Sequence, residues 1–159
     1  MELMSVAKAG SRVLRGVALA GALALGPVAA QAAQPDPSEM TQQEVNDALF
    51  ADPEIFNTLL IAATIYHIVE ICDELLPPNR LTRTVQLLGL YQRARAKGYS
   101  HEQLETFVED EGQQERMRAI VYRYAEQNGA RPENREDICA LGRAEIAANS
   151  PVGRRLSER

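Results

Sequence analysis

The feature that most constrains this chain is its helix punctuation. Thr41-Gln-Gln-Glu44 and Ser100-His-Glu-Gln103 are both capping boxes. In each, a hydroxyl can accept the amide three residues on while the Glu or Gln side chain returns the bond. Asp52-Pro53 is an N-cap followed by proline at the first helical position, where the missing N–H costs nothing. Asn134 has the N-cap chemistry too, and Ser150-Pro151 repeats the cap-plus-proline pattern. Stop signals alternate with these starts at Pro77-Pro78, Gly98 and Gly129. Strand signals are nearly absent. The expected fold is all-α: a small bundle of five to seven helices of mixed length, in one domain over residues 41–159.

Hydrophobic periodicity fills in the segments. A short helix from Thr41 ends on Leu49 and Phe50 as an apolar anchor. The next carries Ile55, Leu59, Ala62, Tyr66, Val69, Cys72 and Leu76 at helical steps, with Leu60, Ile61, Ile65 and Ile68 on its other side. A girdle that wide predicts the central helix of the bundle. A third helix, from about Arg80 to Lys97, is predicted to bury Leu81, Val85, Leu88 and Tyr91. A fourth turns Leu104, Phe107 and Val108 inward and breaks at Glu109-Asp110-Glu111-Gly112. A fifth carries Met117, Ile120, Val121 and Tyr124. The helix after Asn134 carries Ile138, Cys139, Leu141, Gly142 and Ile146, and a last turn spans Val152 to Leu156.

The N-terminus has a different grammar. Lys8, Arg12 and Arg15 lead into an uncharged apolar run from Gly16 to Ala30, closed by Ala30-Gln31-Ala32. This is the three-part pattern of a secretory signal peptide over residues 1–32, with cleavage expected between Ala32 and Ala33. Fifteen apolar residues rise only about 22 Å as a helix, short of the roughly 30 Å hydrocarbon core. No cysteine lies near the cleavage point to take a lipid, and no arginine pair marks export of a folded chain. The expected destination is the periplasm, and residues 33–40, polar with two prolines, are expected to be a disordered leader. No later segment reads as long and apolar enough to span a membrane.

Cleavage removes Lys8, Arg12, Arg15 and Glu2. The chain's 17 basic and 22 acidic residues then become 14 and 21, and its formal charge of −5 becomes −7. Phosphates would be repelled over most of such a surface, which argues against nucleic acid and against peripheral binding to anionic lipid.

Cys72 and Cys139 are the chain's two cysteines. In an oxidising compartment an even count reads as pairing, here one intramolecular bond between residues 67 positions apart, with reactive or intermolecular thiols as the alternative. There is no Cys-x-x-Cys redox pair and no cluster of Cys and His at zinc-ligand spacing, so no metal or cofactor is expected.

Candidates for chemistry are few. His67 and His101 stand 34 positions apart; His67 reads as a hydrogen-bonded histidine at the core edge and His101 as solvated. Glu70, Asp73 and Glu74 cluster before the proline stop. Paired carboxylates can do acid–base work, but on an acidic chain a solvated face is the plainer reading. Glu109-Asp110-Glu111 lacks the alternating ligands of a calcium loop. Arg143 and Glu145 are the most individual pair. Two positions apart on a helix, they point roughly 160° away from one another, so they do not form a local ion pair. One is expected to face solvent and the other to meet a charge elsewhere in the fold; in a functional reading Arg143 recognises a carboxylate of a ligand or protein. Gly142 reads as a close-packing position near the disulfide.

"RARAKGYSHEQLETFVED", "ERMRAIVYRYAEQNGA" and "CALGRAEIAANSPVGRRL" resemble a family of small exported alphaproteobacterial proteins known as a domain of unknown function. The resemblance runs from about Ala51 to Arg155. Its distinctive parts are Gly98-Tyr-Ser100, Arg116-Met-Arg118 and the Cys139 to Ile146 motif. It implies export, an all-α fold and the disulfide, and it implies no activity. Pro151-Val-Gly153 stands where members often have an uninterrupted apolar turn, which weakens the expected docking of the last turn. Arg143, Glu145, Arg116 and Arg118 are thus the candidate interaction residues, with no catalytic residue and no metal ligand among them.

The expected function is a non-catalytic module that binds another exported or membrane protein. An acid-stress holdase, loosened when its carboxylates protonate, is the alternative. A cell-wall enzyme using a carboxylate pair is a third reading.

Overall fold

The computed structural model describes residues 35–159. The signal peptide read over residues 1–32 and its cleavage point lie outside them. Among the described residues six α-helices form the fold: α1 (Gln42–Ala51), α2 (Pro53–Ile71), α3 (Arg80–Ala96), α4 (His101–Glu109), α5 (Glu111–Gln127) and α6 (Arg135–Ala147). Both capping boxes are made, with Thr41 accepting from the Glu44 amide and Ser100 from the Gln103 amide. Asp52, Asn79, Asp110 and Asn134 cap the other four. Asp52 accepts the amides of Glu54 and Ile55 at 3.0 and 3.1 Å and also meets the Lys97 ammonium. Burial works against its charge, but Lys97 and the two amides outweigh that and hold its carboxyl below the ordinary value.

α2 is the spine. Its first turn places Ile55 in one cluster with Val45, Leu49, Phe50, Leu90 and Phe107. Its second half places Ile65 and Ile68 in another, with Leu75, Ala125, Ile138 and Leu141 around the Cys72–Cys139 disulfide. Two cores on one helix explain the wide girdle in the sequence, although only Ile55, Thr64, Ile65 and Ile68 of α2 are fully buried. Tyr66 and Ala62, expected on the buried face, are exposed. Contrary to the sequence reading, α2 is by length and composition long and apolar enough to cross a membrane. Its apolarity comes from serving α1, α3, α5 and α6 on several sides.

Several expectations are corrected. Residues Pro37–Glu39 are not a disordered leader but a 3-10 turn capped by Asp36. The turn is held where Gln103 donates to the Pro37 carbonyl at 2.7 Å and where Pro37 fills the space beside Gly98, whose φ is +98°. Leu75–Leu76 (β1) pairs antiparallel with Ser157–Glu158 (β2), setting Leu75 opposite Glu158. A two-residue ladder is too short to leave an alternating pattern. Most consequentially, α3 does not bury Leu81, Val85, Leu88 and Tyr91. It packs through Leu90 and Ala94, near its C-terminal end, and leaves the others exposed. Val108 of α4 is exposed as well.

The last turn docks in spite of Pro151. Val152, Gly153 and Leu156 are buried against α6 and the disulfide core. Gly153 makes this possible, because a Cβ there would fall inside the backbone of Glu145 and 2.6 Å from the Ile146 amide nitrogen. Gly142 is likewise a contact glycine, its Cα facing Leu75 and Ile68 so closely that a Cβ would overlap the first and lie 2.9 Å from the second.

Candidate functional site

The four candidate interaction residues do not form one site: Arg143 is on the surface of α6, Arg116 and Arg118 are on α5, and Glu145 is buried. Arg143 projects from α6 and pairs with Glu74, which lies just past α2. Arg135 joins the same group, bonding Asp73 and reaching Glu74 Oε1 at 3.3 Å. Arg135 donates to the Asp73 carboxylate and, with its positive charge, holds that carboxyl below its ordinary value. Because α2 ends at Ile71, Glu70 and Glu74 do not share a helix face. This cluster lies over the disulfide, and the Arg159 amide closes it with a 3.0 Å bond to the Glu74 carbonyl. A carboxylate ligand for Arg143 would have to share its guanidinium with Glu74.

Glu145 points inward and is buried. Two hydroxyls, from Tyr124 and Ser150, donate to its carboxylate. Ser150 Oγ in turn accepts the Gly153 amide at 2.9 Å. Glu145 thereby ties α5 and the last turn to α6. Burial and the neighbouring carboxylate push the Tyr124 phenol well above its ordinary pKa, so it stays a donor. Arg116 lies over the Phe50 ring, 4.2 Å from its centroid, and pairs with Asp47 at 3.0 Å, linking α5 to α1. Arg118 pairs with Glu115 on its own helix.

The histidines are also accounted for locally. His67 Nε2 donates to the Pro132 carbonyl at 2.8 Å and its ring tilts against Tyr122. His101 packs edge-on against Tyr91. The Cys72 and Cys139 sulfurs and the Glu74 carboxylate lie within 4.8 Å of one another, but the sulfurs are bonded to each other and offer no thiolate to a cation.

Among the described residues, the longest run of exposed apolar side chains on one helix is on α3. Leu81, Val85, Leu87 and Leu88 are 74, 60, 60 and 52% exposed, all within its first nine residues. Beside them α3 stands off from α2 and leaves a groove of about 500 Å³. Leu59, Ile61 and Ala62 of α2 form one wall, Val85, Leu87 and Leu90 of α3 the other, and Arg83, Arg93 and Arg155 lie along it. Arg93 Nε approaches Glu54 at 2.9 Å, whereas Arg83 and Arg155 have no carboxylate partner among the described residues. Sequence reasoning missed this site because it assigned the α3 stripe to the core. The available signal was composition: α3 holds four arginines and no acid, with leucines on more than one face.

A small helical protein clamped by one long-range disulfide, with an uncovered apolar groove, is the class that this fold and surface define. The chain belongs to the family of unknown function DUF5333, whose model matches residues 47–157. No curated protein and no solved structure gives a significant match to it.

Proposed function

We propose that this protein is a non-catalytic binding module of the periplasm, engaging another protein through the exposed apolar side of α3. One observation carries the reading: four large apolar side chains stand in solvent on adjacent turns of one helix. Such contiguous patches on small soluble domains mark interaction surfaces. The disulfide and the N-terminal export pattern support the compartment. The acids a catalyst would need lie apart, with Glu70 exposed on α2, Glu74 held by two arginines and Glu145 bonded to two hydroxyls.

The test is mild crosslinking of the tagged, processed protein in its own periplasm and membranes. One partner, lost on Leu88→Asp with helicity and melting unchanged, supports the reading. Equal capture by that variant refutes it. A second reading, an acid-activated holdase, is favoured by the carboxylates that tie elements together: Asp47 to Arg116, Asp52 to Lys97 and Asp73 to Arg135. It requires new binding of an apolar dye near pH 3, and a dye-silent protein there would exclude it.

A further inference from the structure

We infer that the α2–α3 groove receives an amphipathic helix whose apolar face is flanked by carboxylates. This rests on the binding-module reading and specifies the partner's chemistry. The groove walls supply the apolar half of the match. α2 is apolar around its circumference, and its groove-facing side is only partly covered, with Leu59 and Ile61 half-buried and Ala62 exposed. Val85, Leu87 and Leu90 stand along the groove's α3 wall, opposite Leu59, Ile61 and Ala62 of α2. From Arg83 to Arg93, the ends of that α3 wall, the helix rises about 15 Å, so a partner of about three turns would cover it.

Charge supplies the other half. In a chain with net charge −5, the groove is lined by three arginines and no carboxylate. Arg80 and Arg83 also stand in the first turn of α3, the positive end of its dipole, where cations are unfavourable. Carboxylates arriving there would be favoured by the dipole and the guanidinium groups together. The same end of α3 disfavours a second copy of this chain, since seating α3 on α3 would bring together Arg80 and Arg83 of each copy, which have no carboxylate partner among the described residues. An acyl chain fits less well. The groove is open, and Arg83, Arg93 and Arg155 stand among its apolar residues, a lining that a hydrocarbon chain does not match.

The test uses two synthetic 18-residue amphipathic helices with the same leucine face, one flanked by Glu and its twin by Lys, each with one tryptophan. The protein has no tryptophan, so the probe's fluorescence reports alone. The Glu probe should bind the processed protein with a blue shift and weaken as salt rises, and the Lys twin should bind at least ten-fold more weakly. Reversing charge at Arg83→Glu with Arg155→Glu should invert that preference. Leu87→Asp, at an exposed position, should abolish binding while helicity is unchanged, and Arg123→Glu, on the exposed side of α5 and outside the groove, should leave it unchanged. Equal binding of both probes, or binding indifferent to these variants, overturns the inference. Phosphatidylglycerol vesicles bound through the same residues while the Glu probe is ignored would make the occupant a lipid surface and overturn it too. A dimer by light scattering, lost in Leu87→Asp, would do the same in favour of self-association. If a native partner is lost with Leu88→Asp but unaffected by the arginine reversals, the binding module stands and the acidic helix falls.

Discussion

Replacing Gly153 with alanine tests the packing argument most directly. The added methyl would enter the space of the Glu145 carbonyl group and lie 2.6 Å from the Ile146 nitrogen, all backbone atoms of α6 that cannot rotate away. If the turn shifts but stays docked, overpacking of this kind costs about 1–3 kcal/mol. If it detaches, Val152 and Leu156, only 5 and 8% exposed, lose their burial. At about 1.5–3 kcal/mol for each side chain, the loss rises toward about 3–6 kcal/mol. The Ser150–Glu145 bond and the pairing of β2 with β1 would loosen as well. Urea denaturation followed by circular dichroism, with the disulfide intact, gives the stability. Hydrogen exchange at Leu75–Leu76 and Leu156 reports on docking. Gly89→Ala is the comparison, because its methyl would meet only the flexible end of Arg93 at 3.4 Å. Helix propensity should make it more stable by about 0.5–1 kcal/mol. If Gly153→Ala matches the wild type in urea and its exchange is unchanged, the close approach of the last turn to α6 is wrong.

Three further outcomes follow from the same structure. Removing the disulfide with Cys72→Ser and Cys139→Ser, which opens a closure of 67 positions, should lower stability by about 4 kcal/mol in the chain-entropy model, read as the urea midpoint. Tyr124→Phe takes one of two hydroxyl donors from buried Glu145 and should cost about 1–3 kcal/mol, whereas an unchanged midpoint would mean that water replaces it. Asp47, Asp52, Asp73 and Asp137 have folded pKa values below the ordinary 3.8, so the stability they contribute is complete above that value and disappears as pH falls through the lowered ones. The urea midpoint should therefore fall steeply below about pH 4, and a midpoint equal at pH 5 and pH 2.5 would contradict these ion pairs.

Local chemistry was legible in the chain. Thr41, Asp52, Ser100 and Asn134 cap where their side chains say they should, since a cap bond spans only two or three residues. Gly142 was legible as a packing glycine because it sits beside a cysteine in a small-residue run. The α3 stripe was misread because periodicity identifies an apolar face without saying what covers it. Leu90 and Ala94 are buried by Phe107 and its neighbours, which are distant in sequence, while Leu81 and Leu88 stay 74 and 52% exposed. Arg143 and Glu145 were legible as a pair that must diverge. Which one turns inward depended on Tyr124 and Ser150 converging on one side of α6 and Glu74 waiting on the other.

By itself, then, the sequence determined the helices and where most of them begin, because a cap bond lies within one turn, and it pointed to the pairing of its two cysteines. It ran α2 on to the prolines, whereas the helix ends at Ile71 and Leu75–Leu76 enters a strand pair. Tertiary structure alone decided that α2 serves two cores, that the last turn rests on α6 through Gly153, and that the groove beside α3 is open. Those outcomes depend on which surfaces meet across the fold, and burial is a property of the meeting rather than of either stripe.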